Sequence, residues 1–459
     1  MPGGAKLYRL WTTRRWKQLK ATQIIALVFL GIILLGAGLL SLPAASRSGE
    51  SCGFVPALFT ATSASCVTGL VLFDTWTQWS GFGQGVILCL IELGGLGFMS
   101  AAALVVFVLR RKVGLRQRMV MAQALSLNDI EGVVRLQKTV LLGSLTIQLA
   151  GAVILTLRFW PDYGFGTAVY WGFFHSVSAF CNAGFDVLGS VAPGQSMITF
   201  NNDPVVCITL MALIVIGGLG FFVWEEIATV RHFRKFSVYT RLVLITTGIL
   251  ILTGAALFLL LEWNNPGTLG NMPLWQKILN AFFQSVTLRT AGFASVDQLE
   301  LTEAGKAFSV LLMLIGGSSG STAGGIKTVT FVVLLLFMGS RIRGKQTVDV
   351  FKRNIPGEKV MDAMTIAAVL AGLSLAGAIY ISAACGVSFT DALYETASAL
   401  GTVGLTAGVT GQLTLPAQLL IIVFMYFGRV GILTISLGFL MADQAKQRFR
   451  YAQTNLLIG

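Results

Sequence analysis

Val67-Thr68-Gly69-Leu70 is the first of four short glycine-centred stretches that decide how this chain folds. The other three are Asn182-Ala183-Gly184-Phe185, Thr290-Ala291-Gly292-Phe293 and Thr402-Val403-Gly404-Leu405. Their glycines lie 115, 108 and 112 residues apart, and an aromatic residue stands ten positions before each of them: Phe59, Phe174, Phe282 and Tyr394. Similar stretches at nearly equal spacing indicate four copies of one structural unit.

The apolar residues between each aromatic and its glycine are too few to cross a bilayer as a helix. This pattern predicts a short re-entrant helix that ends in a glycine turn.

The composition indicates a polytopic membrane protein. Hydrophobic residues make up 55% of the 459 residues and charged residues only 12%, and the mean hydropathy is +0.77. These values exceed the apolar content of ordinary soluble domains, and the chain contains many apolar runs of membrane-spanning length.

Positive charge is concentrated in a few places. Most of the 33 lysines and arginines fall in five clusters: the N-terminal tail, Arg110 to Lys138, Arg231 to Arg241, Arg341 to Lys359, and Lys446 to Arg450. Such clusters mark the cytoplasmic side of a membrane protein. The net charge of +13 therefore predicts contact with anionic membrane lipid rather than with nucleic acid.

Between consecutive clusters the chain has one spanning run, one glycine-centred stretch and a second spanning run. The predicted first helices are 22–42, 137–158, 241–262 and 360–385, and the predicted second helices are 82–109, 204–230, 307–340 and 415–441. The predicted fold is an all-α polytopic membrane protein with four parallel helix–pore-loop–helix repeats, pseudo-fourfold symmetry and eight spanning helices. Both termini are then cytoplasmic, and an even number of spans per copy gives all copies the same orientation, unlike an inverted-repeat transporter.

The predicted divisions are a tail, four repeats and a second tail: 1–20, 21–115, 116–235, 236–350, 351–441 and 442–459. The stretches Gly114 to Glu131 and Gly344 to Lys359 are predicted to be cytoplasmic loops or amphipathic segments.

Non-helical backbone at membrane depth is tolerated where it lines a cavity, and four such stretches can direct carbonyl oxygens at a shared axis. Glycine allows this because no side chain intrudes and the left-handed region is open to it. We name the four stretches the filter segments and predict that their backbone oxygens bind a hard monovalent cation: Val67, Thr68, Gly69, Asn182, Ala183, Gly184, Thr290, Ala291, Gly292, Thr402, Val403 and Gly404. The alternative is that the glycines only allow close helix packing.

The second helix of the third repeat is interrupted by a stretch that we name the glycine loop: Gly316, Gly317, Ser318, Ser319, Gly320, Ser321, Thr322, Ala323, Gly324 and Gly325. Each glycine costs about 1 kcal/mol in a helix interior, so this stretch is not expected to be helical. It begins 24 residues after Gly292, near mid-membrane. We predict a gate that obstructs the pore, with Lys327 anchoring its inner end; a packing kink is the alternative.

Arg429 lies 25 residues after Gly404 in an otherwise apolar helix. A charge at that depth is costly and faces protein or water. Two hypotheses remain open: Arg429 lines the inner cavity as an electrostatic barrier or bonds to glycine-loop carbonyls, or it forms a structural ion pair with a residue such as Glu92 or Glu395.

Three aspartates follow filter segments on the outer side: Asp74, Asp186 and Asp297. They could concentrate cations at the mouth. The fourth segment has Thr406 and Ala407 there instead, so no closed acidic ring is predicted.

The filter segments, the glycine loop with Lys327, and Arg429 together make the chain resemble the Trk/Ktr/HKT superfamily of cation transport proteins, and specifically its KtrB-type potassium-uptake subunits. The resemblance covers nearly the whole chain. The absence of two extra N-terminal helices favours the KtrB type over the TrkH type. Glycine rather than serine at Gly69 implies potassium permeability.

The resemblance implies a bacterial plasma-membrane protein that transports K⁺, with a dependence on Na⁺ left open. It also implies a homodimer with one pore per subunit and a cytosolic regulatory ring of the KtrA type, which binds ATP and ADP. This chain has no P-loop or Rossmann fingerprint of its own, so no nucleotide site is predicted in it.

Two alternative functions are a TrkH-type potassium/sodium-permeable transporter and a coupled secondary transporter. The parallel repeats argue against the coupled secondary transporter. An enzyme is not predicted, because His175 and His232 are the only histidines and neither joins a nucleophile–base–acid pattern.

Overall fold

The computed structural model of the protein describes residues 21–97 and 133–431. Helices provide nearly all the regular structure in these two stretches. Their bounds are α1 Ala21–Leu40, α2 Phe54–Ser65, α3 Thr75–Gln78, α4 Gly81–Gly95, α5 Val133–Tyr163, α6 Phe165–Phe180, α7 Pro204–Leu219, α8 Phe221–Val230, α9 Val238–Glu262, α10 Leu274–Thr287, α11 Glu303–Leu314, α12 Thr328–Ile342, α13 Gly357–Cys385, α14 Phe389–Gly401 and α15 Leu415–Val430.

Four long helices, α1, α5, α9 and α13, lie where the first helix of each repeat is predicted, with bounds that differ from the predicted ones by five residues or fewer. Each contains an apolar stretch long enough to span a bilayer, and at most 39% of its most apolar window is buried inside the protein. Leu35 is 67% exposed and Leu260 is 73% exposed. These outward apolar faces suit lipid rather than water.

Four short helices, α2, α6, α10 and α14, follow the long ones and pack against them. They contain 12, 16, 14 and 13 residues. A rise of about 1.5 Å per residue makes them about 18–24 Å long, which is short of a hydrocarbon core of about 30 Å. Gly53 and Gly164, with φ of 86° and 76°, make the turns before α2 and α6. The lengths agree with the predicted re-entrant helices.

The second helices are interrupted more widely than the sequence predicts. The α7–α8 pair bends by 93° at Gly220, where φ is 95°. Between α11 and α12 lies the glycine loop, and the helices α4 and α15 end just before Gly97 and Gly431, whose φ values are 79° and 88°. The predicted ends of those helices, at 109 and 441, lie outside the described residues.

Within 21–97 and 133–431, four helices are long and apolar enough to span a membrane, or five if the bent pair counts as one span. The eight-span count and the repeat boundaries therefore remain predictions.

A two-stranded antiparallel hairpin occupies part of the stretch predicted as a loop from Gly344 to Lys359. Its strands, β1 Val348–Val350 and β2 Arg353–Ile355, are joined at Phe351 and Lys352, which have φ of 46° and 63°. Positive φ at both central residues is typical of two-residue hairpin turns. Val348 packs with Val333 of α12 in a small apolar cluster, so the hairpin is held against α12.

Candidate functional site

The filter segments share one backbone conformation. The first residue of each has left-handed φ, at 55° for Val67, 59° for Asn182, 64° for Thr290 and 51° for Thr402. The glycines two positions later also have positive φ, between 70° and 96°. Left-handed φ is uncommon for residues other than glycine, and its occurrence at the same position four times indicates a common structural requirement.

The four glycines meet in a closed ring. A Cβ added to Gly69 would lie 2.5 Å from the carbonyl oxygen of Ala183, one on Gly184 would lie 2.8 Å from that of Ala291, and one on Gly292 would lie 2.6 Å from that of Val403. A Cβ on Gly404 would overlap the carbonyl oxygen of Thr68 and so close the cycle. Each glycine therefore faces the middle residue of the next filter segment, and no side chain fits between them.

The amide groups of the filter segments point back to the short helices. Thr68 N donates to Ser63 O, Ala183 N to Ser178 O and Val403 N to Ser398 O, each at 2.8 Å. The hydroxyls of Ser63 and Ser398 accept from Gly69 N and Gly404 N, respectively, each at 3.0 Å. In the third repeat Ala291 N bonds to Thr287 O at 3.0 Å.

The carbonyl oxygens of the first three residues of each filter segment, in contrast, accept no hydrogen bond from any residue in 21–97 or 133–431. In two segments the carbonyl of the fourth residue does have a donor: Phe185 O accepts from the Ser178 hydroxyl and Phe293 O from the Thr287 hydroxyl, each at 2.7 Å. All the filter residues are buried. Buried carbonyls normally find a donor, so this set is suited to another electropositive partner, and a dehydrated cation is the ligand that carbonyl rings bind.

Polar side chains of the filter segments are also left without partners. The hydroxyls of Thr68, Thr290 and Thr402 and the Nδ2 atom of Asn182 are buried and make no hydrogen bond within the described residues. Their exposed fractions are 1% or less.

The glycine loop has a closed neck. Ile315 and Ile326 form a parallel β-bridge, and Gly316 N donates to Ile326 O at 2.9 Å. Thr328 N donates to Gly317 O at 3.0 Å. The two ends of the interruption are therefore held side by side. The glycine-rich sequence alone does not indicate this closure.

The body of the glycine loop is bonded to the bend between α7 and α8. Ser318 N donates to Gly218 O at 3.0 Å, and Phe221 N donates to Gly320 O at 2.9 Å. Tyr239 donates its hydroxyl to Ser319 O at 3.0 Å. Backbone groups at the α7–α8 bend and in the glycine loop thus hydrogen-bond to each other, as burial in a membrane requires.

The same loop touches two filter segments. The Thr322 hydroxyl lies 3.3 Å from Asn182 Oδ1, and Gly324 is so close to the Thr402 side chain that a Cβ would overlap the threonine Oγ1. Lys327 Nζ donates to Ala323 O at 2.7 Å. The loop therefore lies directly against the filter segments, and Lys327 closes its last turn.

Among the described residues, Arg429 bonds to carbonyls and not to carboxylates. Its guanidinium donates to the carbonyl oxygens of Thr322 and Gly94 and, at 3.1 Å, to that of Gly95. Of the two hypotheses from the sequence, this contact agrees with bonding to glycine-loop carbonyls.

The alternative partners of Arg429 bond elsewhere. Glu92 accepts from Gln148 Nε2 at 3.1 Å and from the Cys181 thiol at 3.3 Å. Glu395 accepts from the hydroxyls of Thr406 and Thr410 at 2.6 and 2.5 Å. Neither carboxylate forms an ion pair within the described stretches of chain.

Arg289 is a buried cation that the sequence analysis missed. Its NH2 atom lies 3.5 Å from Gly316 O and 3.4 Å from the Thr328 hydroxyl, so it bridges both sides of the loop neck. A signal for it exists: three residues before the filter glycine, the other repeats have the small residues Cys66, Cys181 and Gly401.

The outer aspartates make local turns. Asp74 caps α3 by accepting from Thr77 N at 2.8 Å, Asp186 accepts from Leu188 N at 3.2 Å, and Asp297 accepts from Leu299 N at 2.9 Å. Each of these carboxylates thus accepts at least one hydrogen bond from a backbone amide.

Residues 9–449 match the family model described as TrkH, cation transport protein. The chain is 40% identical to the potassium/sodium uptake protein NtpJ of Enterococcus hirae over 96% of its length and 98% of that protein. It is 39% identical to Ktr system potassium uptake protein B of Bacillus subtilis, over 95% and 96% of the two chains.

Among solved structures, the potassium transporter TrkH from Vibrio parahaemolyticus aligns with a TM-score of 0.71 at 19% identity, covering 93% of this chain and 86% of that one. This match shows that the two proteins share a fold.

Proposed function

The chain belongs to the TrkH family of cation transport proteins, and on this premise we propose that it takes up potassium across the bacterial plasma membrane. The ion passes along an axis lined by carbonyl oxygens of the filter segments. The observation that carries the proposal is the closed ring of four glycines with unbonded carbonyls. Carbonyl rings replace the hydration shell of a monovalent cation.

The choice of potassium is supported by two of the relatives. One is named as potassium/sodium uptake protein and the other as a Ktr system potassium uptake protein. Glycine at the same position of all four segments keeps the ring free of side chains, which suits an ion coordinated by backbone. The name of NtpJ favours combined potassium and sodium uptake as a second candidate.

The proposed arrangement in the membrane is four parallel repeats, eight spans and cytoplasmic termini. The four equivalent filter conformations and the basic clusters between the repeats support it. A single polypeptide then supplies one complete pore.

The gate in this proposal is the glycine loop together with Lys327 and Arg429. The loop lies against Asn182 and Thr402 of the filter, and Arg429 binds it to α4 through Thr322 and Gly94. Breaking these bonds would let the loop move away from the filter while its neck stays joined.

Regulation by a cytosolic ring of the KtrA type that binds ATP and ADP, and assembly as a homodimer, form part of the same proposal. Support comes from the word "system" in the names of the Ktr relatives. The hairpin and the basic residues from Arg341 to Lys359 offer a cationic cytoplasmic surface for such contact.

The test is growth rescue of a bacterium that lacks potassium uptake, at low external potassium, with and without a co-expressed regulatory ring. Uptake of K⁺ and Na⁺ is measured separately in the same cells. Rescue by this chain supports the proposal, and growth equal to that of an empty control in cells that contain the protein would contradict it. Equal uptake of both ions would favour the second candidate.

A further inference from the structure

A second buried polar network lies behind the fourth filter segment. Glu395 lies on α14, nine residues before Gly404, and its side chain is fully buried. One carboxylate oxygen accepts from the Thr406 hydroxyl at 2.6 Å and the other from the Thr410 hydroxyl at 2.5 Å. No lysine or arginine in the described stretches forms an ion pair with it.

Both threonines belong to the backbone that leaves the filter. Thr406 follows Gly404 by two residues, and Thr410 begins a single 3₁₀ turn, Thr410–Gln412. Thr410 N also lies 3.4 Å from the Thr406 hydroxyl. The carboxylate therefore ties the outgoing chain to its own short helix at two points.

The corresponding positions in the other repeats are held differently. Within residues 21–97 and 133–431, the Thr60 hydroxyl bonds only to Pro56 O of its own helix, at 3.0 Å. His175 Nε2 lies 3.4 Å from Val187 N, and the third repeat has Phe283 there. Repeats one to three have an aspartate after the filter glycine, whereas the fourth has none at the corresponding places. Among α2, α6, α10 and α14, only α14 therefore has a carboxylate at this position.

The helix that supplies Glu395 is itself fixed to the third repeat. The Tyr394 hydroxyl donates to Gln298 Oε1 at 2.7 Å, and Gln284 Nε2 donates to the same oxygen at 2.7 Å. A rigid helix makes the two threonine contacts effective restraints, because a binding constellation is held only as well as its supporting residues.

We propose, on the basis of the proposed function, that Glu395 is a positioning residue that fixes the outer part of the fourth filter segment and thereby sets discrimination between K⁺ and Na⁺. Carbonyl rings distinguish these ions through the number and placement of their oxygens. A fourth segment released from its brace can approach the smaller ion, so Na⁺ gains relative to K⁺.

The test uses Glu395→Gln, which keeps the volume but replaces one accepting oxygen with a donor, and Thr410→Val, which leaves the carboxylate in place. Thr60→Val is the matched control at the same position of the first repeat. Hydrogen exchange is measured on the purified full chain in choline chloride for peptides covering 402–412 and 66–72. Initial uptake of K⁺ and Na⁺ is measured in cells with equal amounts of each variant.

We expect both variants of the fourth repeat to exchange about tenfold faster at 402–412 but not at 66–72, and the ratio of K⁺ to Na⁺ uptake to fall about tenfold, the change that 1.4 kcal/mol produces. Thr60→Val leaves both quantities unchanged. Unchanged exchange at 402–412, or an unchanged ratio in the presence of faster exchange, overturns the inference.

If the wild-type chain transports neither ion, the proposed function and the selectivity role fail together. The exchange measurement, which needs no potassium, still decides whether Glu395 braces the segment. A protein with faster exchange in all its peptides would show a general structural role and would also overturn the inference.

Discussion

At the scale of single residues, glycine is required at the filter positions both by its own backbone conformation and by the atoms that surround it. Each has positive φ, and each faces a carbonyl of the next segment at a distance that excludes a methyl group. The first requirement is open to sequence reasoning, because glycine turns have a known conformational basis. The second depends on residues more than a hundred positions away and becomes visible only in the folded chain.

Gly404→Ala is expected to reduce K⁺ uptake by at least 100-fold. The added methyl would overlap the carbonyl oxygen of Thr68, and the left-handed conformation adds about 1–2 kcal/mol of strain. Uptake at equal protein amount is the measurement. Gly85→Ala is the matched control, because nothing lies within 4 Å of its Cβ position. Normal uptake by Gly404→Ala would contradict the ring.

Arg429→Gln is expected to increase cation flux about tenfold at matched expression. The substitution removes the cation that binds carbonyls of Thr322, Gly94 and Gly95, and charged hydrogen bonds contribute about 1.5–3 kcal/mol each. Flux is measured in proteoliposomes. Arg343→Gln, a change at an exposed residue, is the control. Loss of folded protein would instead indicate that Arg429 acts as a structural residue.

At the scale of elements, the long helices were predictable and the interruptions only in part. Apolar runs bounded by charged residues predict the bounds of α1, α9 and α13 to within a few residues, because exposure to lipid leaves a strong signal in the composition. The sequence Gly217-Gly218-Leu219-Gly220 is compatible with bending or close packing but does not by itself indicate an angle of 93°. That angle follows from bonds to the glycine loop, a partner more than ninety residues away.

The hairpin and the Arg289 bridge were missed for different reasons. Three-residue strands are below the length at which alternation is readable. Arg289 was detectable as a charge at a position where the other repeats have small residues, but its contacts with Gly316 and Thr328 required the closed loop neck. The four filter glycines lie against one another in the structure, and the role of the filter residues in ion binding stays a prediction.

Deletion of Gly317 to Gly324 is expected to raise K⁺ permeation severalfold. Gly316 N and Ile326 O are already 2.9 Å apart, so the shortened chain can rejoin without moving α11 or α12. Flux in proteoliposomes is compared with that of Ser321→Ala, which removes one hydroxyl and leaves the loop length unchanged. Unchanged flux in a monodisperse, folded deletion variant would reject the loop as a gate.

At the scale of the whole molecule, the filter ring is the place where the four filter segments meet. Each segment is held by its own short helix, while its glycine touches the next segment. A cation bound in the ring, as proposed, would contact parts of the chain from Val67 to Gly404. Ligand binding to the folded state alone stabilises it, by about 2.7 kcal/mol at a concentration of 100 Kd.

Potassium is therefore expected to raise the apparent Tm of the purified protein by several degrees relative to choline at equal ionic strength. The Gly404→Ala variant should lose this shift, whereas Gly85→Ala should keep it. Thermal unfolding in detergent, followed by intrinsic fluorescence at a fixed scan rate, is the measurement. Equal Tm values for the wild-type protein in the two salts would argue against a cation site at the ring.

Because the ring closes within one polypeptide, its four quarters need not be alike. In a channel built from identical subunits, one codon change alters the same residue in every subunit. Here Val67, Asn182, Thr290 and Thr402 already differ at one level of the ring, and a brace such as Glu395 can belong to a single quarter. If the ring is the proposed conduit, mutation can adjust its ion preference one quarter at a time and leave the other three sides intact.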